Sequence, residues 1–76
     1  MQPLRINFLE LNSIAKADAI RQMVEIHKQE PIYEVSTAEE FASMIAGGYN
    51  PDKDFEFLQY PNDNADNVTV YSKDFS

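Results

Sequence analysis

The stretch Asp54-Phe55-Glu56-Phe57-Leu58-Gln59-Tyr60 decides how this chain is read. Its apolar period is two: Phe55 and Phe57 point one way, and Asp54, Glu56 and Leu58 the other, as on a strand with one buried face. A second run with the same period, Val68-Thr69-Val70-Tyr71, follows after the polar turn-formers Pro61-Asn62-Asp63-Asn64-Ala65-Asp66-Asn67. Two such runs joined by turn-formers predict an antiparallel hairpin with a long tip.

The chain before this hairpin has a different period. Leu4, Ile6 and Phe8 alternate with Arg5 and Asn7, which predicts a short strand, although Phe8 to Leu11 is equally able to begin a helix. Asn12 or Ser13 is a suitable N-cap for an amphipathic helix over residues 14–29. Asp18, Arg21, Gln22, Glu25, Lys28 and Gln29 cluster on one face of that helix. Ala15, Ala17, Ala19, Ile20, Met23, Val24 and Ile26 spread over a wide opposite arc. Pro31 ends the helix, because the residue before a proline is pushed out of the helical region. Ile32, Tyr33 and Val35 form a short β-prone run. Ser36 with Glu39 has the spacing of a capping box for a second helix over residues 37–46. Ala38, Phe41, Ala42 and Ile45 lie on one side of this helix, and Glu39, Glu40 and Ser43 on the other. Gly47 is the expected left-handed residue at its end, and Tyr49 to Lys53 is a loop. The order predicts one α+β domain over residues 1–76: two helices packed on one face of a small antiparallel sheet, with a C-terminal β-hairpin. Phe41, Ile45, Phe55 and Phe57 should share a core with Ile20, Met23 and Val24.

Seventy-six residues bury only about 60% of the surface their unfolded chain exposes, so such a core is small. With no Cys, neither a disulfide nor a thiolate metal site can reinforce it. A single His leaves no zinc ligand set and no Cys-His pair. His27 sits at the border of the apolar arc, where a partly buried side chain with one satisfied nitrogen is expected. Asn62, Asn64 and Asp66 alternate as in a calcium loop, but the required Gly and bidentate Glu positions hold Asn67 and Lys73. The acids fall on predicted exposed faces and loop tips, not in the buried, perturbed settings catalysis needs. The expectation is a protein that is not an enzyme, with no cofactor and no metal. No stretch approaches 18 consecutive apolar residues, and the N-terminus lacks the basic-then-apolar pattern of a signal peptide. A cytoplasmic protein is therefore expected, and Asn67-Val68-Thr69 is a chance match to the glycosylation sequon.

Charge is the most asymmetric property. Residues 1–30 carry four acids and four bases. Residues 31–76 carry nine acids against Lys53 and Lys73, which is the whole net charge of −7. A field of this sign repels nucleic acid and anionic membrane and attracts basic protein surfaces, commonly those built to hold DNA or RNA. Asp54 and Glu56, on one predicted strand face, would stand roughly 6.6 Å apart, close to the roughly 6.8 Å axial spacing of phosphates two steps apart on DNA. Tyr33, Tyr49, Tyr60 and Tyr71 are interspersed, a residue type favoured at interfaces. In size, acidity and lack of Cys and catalytic groups, the chain resembles the small proteins that phages make against host defence or transcription: anti-CRISPR proteins, anti-restriction DNA mimics and polymerase inhibitors. The resemblance is one of composition and transfers no motif. The placement of the charge leads to the expectation of an inhibitor occupying the basic groove of a nucleic-acid-handling protein, with Glu34, Glu39, Glu40, Asp52, Asp54, Glu56, Asp63 and Asp66 replacing phosphates. The alternative is a small adaptor or subunit docking through the apolar arc of the first helix or an open sheet edge, including as a homodimer.

Overall fold

The computed structural model describes residues 3–29, 37–60 and 65–73. Strand β1 (Leu4–Ile6) is followed by a 3-10 turn (Phe8–Glu10), helix α1 (Ser13–Gln29), helix α2 (Ala38–Ala46), a second 3-10 turn (Pro51–Lys53), and strands β2 (Phe55–Gln59) and β3 (Thr69–Ser72). The sheet is antiparallel in the order β1-β2-β3, so the period-two stretch supplies its centre. This is the α+β architecture expected, with two helices, three strands and a β2–β3 hairpin. The short run at residues 32–35 lies outside the described residues.

Register explains the core. Ile6, Phe57 and Val70 stand opposite one another across the three strands, and Phe55 stands opposite Ser72. Phe55 and Phe57 are fully buried on this face. Helix α1 packs on β3 and α2 packs on α1. Met23 from α1 and Phe41 from α2 are fully buried in the same cluster, with Ile20, Val24 and Ile45 packed against it. Phe8 and Leu11 join them from the connection between β1 and α1. The Phe8 ring lies 5.5 Å from that of Phe57, a separation at which tilted aromatic pairs attract.

Local chemistry departs from the sequence reading at several points. The start of α1 does not: Asn12, one of the two caps expected, accepts the Ala15 N–H through its Oδ1 at 2.8 Å. The arc of α1 is narrower than expected: Ala15, Ala19, Met23 and His27 are buried, whereas Ala17 is exposed. On α2, Ala42 is likewise exposed. His27 is more deeply buried than a border position suggested, its ring edge-on to Phe41 at 5.5 Å. The cap of α2 is Thr37 and not Ser36: Thr37 Oγ1 accepts the Glu40 N–H and donates to Glu40 Oε1, both at 3.2 Å. The N-cap is thus shifted by one residue, since Ser36–Glu39 and Thr37–Glu40 have the same spacing and α2 starts at Ala38. The left-handed residue after α2 is Gly48, at φ 111°, while Gly47 is at φ −84°. Tyr49 to Lys53 is not a plain loop. Asn50 caps a 3-10 turn that begins at Pro51, its Oδ1 accepting the Asp52 N–H at 3.1 Å.

Candidate acidic binding surface

The acids expected on a binding surface fall into two groups. Glu34 and Asp63 lie outside the described residues.

The first group surrounds β2 and is engaged within the fold. Asp52 is half-buried, and both its carboxylate oxygens accept the Phe8 N–H, at 3.1 and 3.2 Å, across 44 residues of chain. The Asp52 carbonyl accepts from Lys73 Nζ. Asp54 corrects the expected phosphate-like pair. It precedes β2, with a helical-region backbone (φ −113°, ψ −14°) as the C-cap of the 3-10 turn. Its side chain therefore does not share the alternation of Glu56, and it accepts from the Tyr49 hydroxyl at 2.9 Å. Glu56 is on the outer face of the sheet, in an ion pair with Arg5 of β1. A pocket of about 170 Å³ brings Asp52 and Glu56 together with Arg5 and Lys73, two acids with two bases. Asp66 accepts from Asn12 Nδ2 at 2.8 Å and ties the hairpin to the start of α1.

The second group is Glu39 and Glu40 in the first turn of α2, both exposed. Negative side chains are favoured there by the unpaired N–H groups and the helix dipole. Glu40 is occupied in part by the Thr37 cap, whereas Glu39 has no bonded partner among the described residues. Glu39 also borders an open groove of about 300 Å³ between the two helices, floored by Ala17, Ile20, Ala38 and Ala42 with Arg21 on the rim. This combination of apolar floor and charged rim was not anticipated. Ala17 and Ala42, placed by the sequence on the apolar sides of their helices, are exposed and line it.

Gln22 was also missed. On a helical wheel it belongs to the solvent face, yet its Nε2 donates to the Val68 carbonyl at 2.7 Å and its Oε1 accepts the Val70 N–H at 3.0 Å. Its partners are 46 and 48 residues away, so no local pattern signals them.

Among the described residues no three His, Asp or Glu side chains are grouped as a metal site requires, and no helix is long and apolar enough to cross a membrane. Comparison with protein-family models, curated proteins and solved structures finds no match.

Proposed function

We propose that this chain is a non-enzymatic binding protein that inhibits a nucleic-acid-handling protein by occupying its basic groove, with Glu39 and Glu40 as leading contacts. The observation that carries the reading is the placement of these two exposed carboxylates within residues 31–76, the part of the chain that holds all the net charge. Basic side chains of the partner would meet them as they would meet phosphates, and the charge would speed the encounter. The groove beside Glu39 offers apolar contact next to the charge. Asp52, Asp54, Glu56 and Asp66 add to the long-range field, while their direct bonds serve the fold.

The test begins with capture of the partner from the native host. Glu39→Lys with Glu40→Gln should then abolish binding with little change in melting, because Gln retains an acceptor for the Thr37 hydroxyl. Reversing Glu25 on α1, within the charge-balanced residues 1–30, should do much less. The wild-type complex should loosen strongly between about 50 and 200 mM salt and compete with nucleic acid. A partner that holds this protein and its nucleic acid together, with neither affinity changed, rules the reading out.

A second reading is docking through the outer face of the sheet, opposite the helices. There Tyr71 is 50% exposed beside half-buried Leu58 and Thr69. Binding by that route would change little with salt and would be lost on Tyr71→Ala.

A further inference from the structure

Among the described residues β3 forms one edge of the sheet, and edge strands present unpaired N–H and C=O groups to any other strand. Here the outward Val68 carbonyl and Val70 N–H are both bonded to the side-chain amide of Gln22, at 2.7 and 3.0 Å. One donor to a carbonyl and one acceptor for the N–H two residues on is the pair of bonds an antiparallel neighbouring strand would supply, from the two residues flanking the one opposite Thr69. We propose that Gln22 is a built-in plug on β3, and that the edge it closes is competent to pair with a second copy of this chain.

The plug is braced. Gln22 Nε2 also donates to Asp18 Oδ2 at 3.0 Å, and the Arg21 guanidinium bonds the other oxygen of Asp18. One turn of α1 therefore holds the amide in register with β3. What it covers is a pairing hazard. Asn67-Val68-Thr69-Val70-Tyr71-Ser72 contains no charged residue and is dominated by β-branched and aromatic side chains, the composition that promotes strand addition. Mutual repulsion of two copies at −7 each is weakest along such a segment. Antiparallel β3–β3 pairing is self-complementary, so a two-fold axis closes the assembly at two chains. An open groove of about 380 Å³ between α1 and β3, lined by Asp18, Arg21, Gln22, Glu25, Ile26 and Val70, gives an incoming strand room beside the edge. This surface is distinct from Glu39 and Glu40, so the plug stands or falls independently of the proposed partner.

The test uses the full chain as wild type, Gln22→Met and Gln22→Lys, with mass measured by light scattering over a concentration series and amide exchange followed at Val70. Methionine matches the length of glutamine and fills the space but makes neither bond. Lysine places a charge at the edge, a common means by which edge strands avoid pairing. The wild type should be the less associated form, Gln22→Met should self-associate at least about tenfold more tightly, and Gln22→Lys should remain monomeric. The Val70 amide should exchange slowly in wild type and again in the Gln22→Met dimer. Three results overturn the proposal: a folded Gln22→Met no more associated than wild type, a Gln22→Met dimer with a fast Val70 amide, or a wild type that already pairs through β3. Should neither variant fold, a wild-type Val70 amide that exchanges like an unbonded one overturns it as well.

Discussion

Around β2, Asp52 accepts a distant backbone N–H, Asp54 a tyrosine hydroxyl, and Glu56 a guanidinium from the neighbouring strand. At the start of α2, Glu39 faces solvent with no bonded partner among the described residues. Both regions contribute to the same net charge, yet they do opposite things with it. Near β2 the carboxylates act mainly as acceptors, and those of Asp52 and Glu56 join segments that are far apart in sequence. At α2 the negative charge is presented outward, on a helix end that stabilises it. Net charge alone therefore overstates the extent of a binding surface in a small domain, because a fold with few residues recruits its acids as connectors.

The difference can be broken most severely at β2 itself. Phe57→Ala removes a fully buried ring that contacts Phe8, and should destabilise by about 3–5 kcal/mol, a large fraction of the total for a domain of this size. Denaturant unfolding measures it, and an unchanged midpoint would place the core elsewhere. A smaller effect separates acceptor from charge. Asp52→Ala leaves the part-buried Phe8 N–H without its acceptor and should cost about 1–3 kcal/mol. Asp52→Asn keeps an oxygen in place and should cost clearly less. Equal losses for the two substitutions would mean that Asp52 acts through its charge. The smallest effect lies at α2. Thr37→Ala should cost about 1 kcal/mol, and Ser36→Ala should fall within about 0.5 kcal/mol of wild type. A reversed order in thermal melts would return the cap to Ser36.

The elements were legible wherever one face had a clear period. Phe55 and Phe57 announce β2, and the α1 pattern gives its range to within one residue. Signals failed where two neighbours carried the same chemistry. Ser36 and Thr37 are both cap formers with a Glu three residues on, and Gly47 and Gly48 are adjacent. Signals also failed where the partner was distant. Nothing local distinguishes Asp52 from a solvated loop acid, or Gln22 from any polar residue on a helix face. Asp52, Asp54, Glu56 and Asp66 are half-buried and bonded within the fold, unseen in the sequence for this reason: an acid reads as exposed until its acceptor role is seen in space. Asn50-Pro51 did carry a usable signal, a cap residue followed by proline at the first helical position.

The position of β2 between its neighbours has a kinetic consequence. Its pairing with β3 closes a short loop, whereas its pairing with β1 joins Leu4 to Gln59 across most of the chain. Loop closure grows costlier with length, so the hairpin is expected to form early and β1 to dock late. A substitution in β1 such as Ile6→Ala should then mainly speed unfolding, whereas Val70→Ala should also slow folding. Equal effects on both rates would show that the sheet closes in one step. If β1 does dock late, brief opening at the N-terminal edge would expose the rim of Phe57 without melting the hairpin. The least protected part of this core would then lie under its first three-residue strand.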